Sequence, residues 1–303
     1  MFFPHVTELL RSSSYKSDMR CDLHVHTRHS GMCNIPLLRR VCRESYNDPE
    51  ALYEKLKRLG MDLVTVTDHD SIDAVEALRS RADFFLSEEV TCRLPSGTQL
   101  HMGVYDITER DHGEIQRRRD DFESLAAWLR ERRLFFSANH VFSSLTGRRS
   151  LEDFALFESA FPAVETRNGQ MLRRANENAA VLADFAAVAE VGGSDAHAIA
   201  SAGCAWTVVP GARTKQEYLE GLRRGAGKVR GAAGGYCKLT RDIWSIGASM
   251  VDETPAAAVL VPLALAVPLV TLGNYLIESV FARYWMSRCL RARLNSRIAE
   301  VAA

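Results

Sequence analysis

The stretch CDLHVHTRHS, residues 21–30, has the apolar beat of a buried β-strand at Leu23 and Val25, yet it carries an aspartate and three histidines. His24 and His26 are two apart, so on a strand they project from one face and can clamp a single cation. Burying two imidazoles and Asp22 on so short an apolar strand would be costly with nothing bound. His29 follows in a leaving loop and is not expected to join them.

Beyond this stretch, short β-branched or aromatic runs alternate with helix-period segments. This pattern predicts βα units around parallel strands that close into a barrel. The expected strands are 21–26, 62–68, 83–89, 100–106, 134–140, 162–166 and 187–194. Between the first two, Asp48 can cap a helix, Pro49 fits its first turn, Gly60 can end it, and Leu52, Leu56 and Leu59 share a face. Residues 109–133 read as one long helix with Ile115, Phe122, Leu125 and Leu129 on its apolar side and interleaved Arg and Asp in solvent.

His69, Glu89, His140, Asp195 and His197 all fall at or just beyond the end of an expected strand, and His101 lies on the strand 100–106. In parallel α/β barrels functional side chains converge at that rim, so six of the nine histidines are assigned to one site. Imidazoles mixed with carboxylates suit Mn, Fe or Zn better than Mg. Asp68 and Asp70, flanking His69, are placed to orient ligands from behind, and Asp70 can alternatively cap the next helix. Arg28 and Arg167, just past the first and sixth strands, can fork onto a phosphate monoester. His112 is a candidate to protonate a leaving group.

At 303 residues the chain can hold one large domain with an appendage. The boundary is expected near residue 230: a barrel over 1–230, then a helical, apolar extension over 231–303 that GAAGGYCK, residues 231–238, joins as a linker. Lys plus Arg and Asp plus Glu number 38 each, so no electrostatic footprint for duplex nucleic acid is expected and the partner should be small. Seven cysteines without a Cys-x-x-Cys pair, and an N-terminal stretch MFFPHVTELLRSSSYK without a secretory pattern, point to the cytoplasm. The uncharged run 255–277 is long enough for a bilayer at about 20 residues, but Pro262 and Pro268 interrupt it. Helices packed on the barrel or on a second copy are expected there, with peripheral membrane contact as the alternative.

DLHVHT, TDHD, EEVT, HMGVYDIT, NHV and GGSDAH, in this order over about residues 20–210, resemble the polymerase and histidinol phosphatase (PHP) family of metal-dependent phosphoesterases. The resemblance implies a distorted seven-stranded (β/α) barrel with two to three divalent ions at its rim. It also implies hydrolysis of a phosphate ester in a small phosphorylated metabolite or nucleotide by metal-activated water. Residue by residue, His24, His26, Glu89 and Asp195 match the first metal, and Glu89, His101 and His140 the second, with Glu89 bridging. His69 and His197 match a third. Where the family completes that third site with Asp or His, this chain has Met32, followed by Cys33 and Asn34, so a weaker site completed by water, Cys33 or substrate phosphate is expected. The competing readings are an amidohydrolase-type hydrolase and a regulatory or proofreading-like module not attached to a polymerase.

Overall fold

The structure, a computed structural model, describes residues 18–302 apart from Asn34 and Leu37; the N-terminal stretch 1–16 and Asn34 lie outside the described residues. The first half of the chain runs β1 (Met19–Cys21), α1 (Pro49–Arg58), α2 (Val75–Leu78), β2 (Ser87–Arg93), β3 (Gln99–Tyr105), α3 (Glu109–Arg118), α4 (Phe122–Glu131) and β4 (Phe135–Ala138). There follow α5 (Leu151–Ala160), β5 (Ala163–Asn168), α6 (Arg173–Ala186), β6 (Ala189–Gly193), β7 (Ala205–Val209), α7 (Lys215–Arg223) and β8 (Lys228–Gly231). The chain ends in α8 (Tyr236–Glu253), a 3₁₀ segment (Pro255–Ala266) and α9 (Val267–Ala302).

The strands form two sheets. One has the order β2-β3-β4-β5-β6, antiparallel from β2 to β4 and parallel from β4 to β6; the other is an antiparallel β1-β7-β8. The fold is therefore mixed α/β, and among the described residues the ladders do not close into the expected barrel. Two expected strands, 21–26 and 62–68, are mostly bridges: Val25 meets Ala196 and Val64 meets Phe84. Their polar side chains take over the bonds a ladder would make. Val25 N donates to Thr67 Oγ1 (3.0 Å), Thr27 N to Asp68 Oδ1 (2.6 Å) and Ser194 N to Asp22 Oδ1 (2.8 Å). β3 runs against its neighbours, so His101 sits near its start, at the same end as Glu89. Leu23, Leu63, Phe85, Tyr105, Phe135, Ala163 and Val191, one from each successive strand segment, fill a separate lower core.

Three further expectations change. The helix expected over 109–133 is two, because Asp121 accepts a hydrogen bond from Ser124 N and starts α4 afresh. The expected linker is packed chain: β8 pairs with β7, and Gly234 N donates to Met171 O at 2.7 Å. The extension is anchored. Ser201 Oγ donates to Asp242 of α8, Lys238 Nζ of α8 to Gln170 Oε1 (3.2 Å) and Asn178 Nδ2 to Ala282 O of α9 (2.8 Å), and Arg293 stacks on Phe185.

Candidate metal centre

At the rim above that lower core, the end of the first strand segment carries His24 and His26. Gly193 of β6 passes so close that a Cβ there would lie 2.2 Å from His24 N, which is why GGSDAH begins with glycines. His140 (φ 31°) and Asp195 (φ 50°) occupy the left-handed region, backbone strain that the surrounding bonds hold in place at the rim.

Glu89 of β2 is fully buried at the centre. Its Oε2 lies 3.1 Å from His24 Nε2, 3.5 Å from His26 Nε2 and 3.3 Å from His69 Nδ1. Its Oε1 lies 3.2 Å from His140 Nε2 and 3.7 Å from His101 Nδ1, and accepts from Asn139 Nδ2 at 2.9 Å. Each oxygen thus faces its own group of imidazoles. Asp195 Oδ1 closes the other side, 3.3 Å from His26 Nε2, 3.5 Å from His24 Nε2 and 3.6 Å from His197 Nδ1. All eight residues expected to bind metal are brought together. The groupings overlap: His24, His26 and Glu89; His24, His140 and Asp195; His69, Glu89 and His101; His26, His69 and His197. His29 joins none of them.

The ring tautomers identify what the cluster is fit to hold. Ser30 Oγ donates its one hydrogen to Asp68 (2.7 Å), so His26 Nδ1, 2.9 Å away, must donate to Ser30. His24 Nδ1 lies 2.7 Å from Glu165 Oε1 and donates to it. The Nε2 lone pairs of both neutral rings then point at each other, 3.1 Å apart, and at two carboxylates. Only a cation or an added proton satisfies that arrangement. His69 Nδ1 and His197 Nε2 are likewise buried without a hydrogen-bond partner. The donor set fits divalent transition metals.

Electrostatics follow from burial and this crowding. Burial holds His26 and His101 down to about 4 and pushes His69 well below its usual value. Burial also opposes charge on His24, but Glu89, Glu165 and Asp195 outweigh it and raise its pKa; His140 is raised in the same way, chiefly by Glu89. The histidines hold Glu89 and Asp195 well below the carboxylate range despite their burial.

Six expected residues lie outside the cluster. Asp68 spends its oxygens on Thr27 and Ser30, so it positions His26 and has no oxygen left for proton transfer. Asp70 neither caps a helix nor orients a ligand: it accepts from Thr91 N and pairs with Arg119. His112 lies 2.9 Å from Glu88, whose side chain leaves β2 on the face opposite Glu89. Cys33 packs with Cys42, Leu38 and Val41. Arg28 pairs with Asp48 (2.7 Å), and Arg167 has its Nε buried and unbonded, with no contact to the cluster among the described residues.

Sequence reasoning missed Glu165 and Glu44. Glu165 is a lone acid on an apolar strand, a signal that was available. Glu44 lies in the long connection after the first strand and reaches 3.6 Å from His69 Nε2 and 3.7 Å from His197 Nε2, with burial raising its pKa. Met32 bridges Arg43 and brings that loop back to the rim. Beside His197 opens a pocket of about 230 Å³, lined by Tyr46, Asp48 and Ala51 on one side and by Ser245, Ile246 and Ser249 of α8 on the other.

The family described as PHP-associated matches residues 173–226. Among solved structures, PsfC from Pseudomonas syringae shares 18% identity over 78% of this chain and 100% of its own, with a TM-score of 0.55. The lesion-specific endonuclease PfuEndoQ from Pyrococcus furiosus shares 17% over 70% of this chain and 58% of its own, TM-score 0.49. A proposed metal-dependent phosphoesterase from Bifidobacterium adolescentis shares 15% over 68% and 96%, TM-score 0.44. No curated protein matches the sequence. Fold and site define a mixed α/β protein with a rim of converging imidazoles and carboxylates. The segment that matches the PHP-associated family runs from α6 to α7, beside β5, which carries Glu165, and through β6, which leads to Asp195.

Proposed function

We propose that this protein is a metal-dependent hydrolase that cleaves a phosphate ester in a small phosphorylated metabolite or nucleotide, using water as the nucleophile. The observation that carries the reading is Glu89, whose two oxygens face two different sets of imidazoles, as a carboxylate shared between two cations requires. Divalent ions held there would lower the pKa of water and screen phosphoryl charge. The chain's own residues do the rest. Glu165 and Ser30 fix the His24 and His26 rings, Asn139 and Asn168 orient Glu89 and Asp195, and among the described residues no side chain is set up as a covalent nucleophile. The pocket beside His197 supports a small substrate, and Arg28 sits at its edge through Asp48. The shared lower core supports reading the strand segments as a distorted, incompletely laddered barrel.

The test is metal analysis of protein purified without chelator, then a phosphate-release screen over nucleotides and sugar phosphates, with Glu89→Gln alongside. The expected result is bound transition metal and phosphate release that Glu89→Gln abolishes. Metal-replete protein inert toward every phosphate ester, or a fully active Gln variant, would overturn the reading.

A further inference from the structure

We infer that the C-terminal hairpin seats this protein on an anionic lipid bilayer, lying within the interface and not crossing it. The inference is independent of the reaction proposed above. No charged residue occurs between Thr254 and Ile277, and the segment beginning at Pro255 has a window of mean hydropathy 2.2 of which only 11% is buried. Leu265 is 85% exposed, Val259 79% and Leu269 73%. A contiguous apolar surface of this kind marks an interaction site on a folded protein.

The order of side chains along α9 identifies the occupant. Leu269, Leu272, Leu276, Val280, Tyr284, Arg288 and Arg291 follow at steps of three and four, form one helical stripe, and are all exposed. The stripe passes from aliphatic to aromatic to cationic, matching hydrocarbon, interface and headgroup in turn. An apolar groove of about 570 Å³ continues it sideways between Leu276, Val280 and Tyr284 and the exposed Arg148. On the other flank, Leu38 and Val41 pack against Ala257 and Leu260, and their loop exposes Ile35, Arg39 and Arg40. None of Arg39, Arg40, Arg148, Arg283, Arg288 or Arg291 has an acidic partner among the described residues, although the chain as a whole carries formal charge zero. A two-fold copy would set this patch against itself, arginine facing arginine. An anionic surface answers the apolar stripe and the arginines together.

Bonds to α8, which Asp242 in turn ties to Ser201, hold the segment flat. Trp244 Nε1 donates to Ala264 O (3.0 Å), Tyr236 OH to Pro268 O (3.2 Å), and the Thr240 and Thr271 hydroxyls are 2.8 Å apart. Glu278 of α9 accepts from Ser144 N at 3.1 Å, and crossing the bilayer would strip that contact and carry the carboxylate into hydrocarbon.

The experiment is sedimentation of the full chain with vesicles of phosphatidylcholine alone or with added phosphatidylglycerol, with light scattering of the vesicle-free protein. The expected result is binding that needs the anionic lipid, weakens about fivefold for each arginine neutralised in Arg288→Gln and Arg291→Gln, and is lost in Leu265→Glu/Leu269→Glu. Metal content and melting temperature should stay unchanged in these variants, because the positions are exposed. Wild-type protein that ignores both vesicles would overturn the inference. So would a dimer that Leu269→Glu dissociates without any vesicle binding, or insertion that resists alkaline carbonate extraction.

Discussion

His24 Nε2 lies 3.1 Å from His26 Nε2 while the Nδ1 hydrogen of each ring is already committed, one to Glu165 and the other to Ser30. Neutral rings would bring two lone pairs together, so the site takes up either a proton on His24 or a cation between the rings, and the two compete. The outer residues that fix the tautomers are therefore as much part of the centre as the rings themselves.

Glu165→Gln tests this directly. An amide in place of the carboxylate no longer demands a hydrogen from His24 Nδ1, so the ring can take the other tautomer and turn its N–H toward Glu89. Metal affinity should fall about 10–100-fold with the fold retained. Titration of the metal-stripped variant by calorimetry is the check; affinity equal to wild type would show that Glu165 only fills space.

The cluster also predicts how binding depends on pH. His24 and His140 have raised pKa values, so in the metal-free protein near neutral pH they hold a proton more strongly than a free imidazole does, and a cation must displace it. His26 and His101, held to about 4, are already neutral there and release nothing. Metal affinity should thus weaken as pH falls through the raised values of His24 and His140. It should collapse near pH 4, where His26 and His101 also take protons. At about pH 6, below the ordinary imidazole value of about 6.5 that His24 and His140 both exceed, binding should release protons. Calorimetry in two buffers of different ionisation heat measures this, and zero release would contradict it.

Much of the centre was legible in the sequence because its residues sit on strand ends, where a period of two and the end of an apolar run place side chains without tertiary knowledge. His24, His26, His69, Glu89, His140, Asp195 and His197 are all of this kind, and all reach the rim. The fold was legible more coarsely. Alternating elements implied a parallel barrel, but no local signal shows that β3 runs backwards or that Asp22, Thr67 and Asp68 replace ladder bonds with side-chain bonds. His112 misled because it follows the right strand. What the sequence cannot express is that Glu88 and Glu89, adjacent in the chain, leave β2 on opposite faces and divide their histidines between them.

His112→Ala accordingly should leave turnover near wild type, where loss of a general acid would lower it about 10²–10⁴-fold. Its effect should fall on stability instead. The ring holds Glu88, which is buried and raised in pKa by that burial, and removing it leaves only Gln116 as a partner. A destabilisation of about 1–3 kcal/mol is expected by denaturant titration. A large drop in kcat at unchanged stability would restore the catalytic role.

Glu44 is the carboxylate that a third ion at the rim would need. Met32 occupies the place where the family pattern puts a third-site ligand, and Cys33 is turned into a small apolar cluster, so neither serves His69 and His197. The structure supplies a partner from farther along the chain: Glu44 Oε1 lies within 3.6–3.7 Å of Nε2 on both rings, and burial raises the pKa of its carboxyl. A cation shared with His69 and His197 would recover that desolvation, and a Gln side chain offers neither charge nor a comparable donor. Glu44→Gln should therefore abolish one anomalous-scattering peak in metal-replete crystals, the one beside His69 and His197, and leave those around Glu89 in place. Wild-type crystals with no ion beside Glu44, or a Gln variant that keeps it at full occupancy, would show that Glu44 is only a buried neighbour of the site.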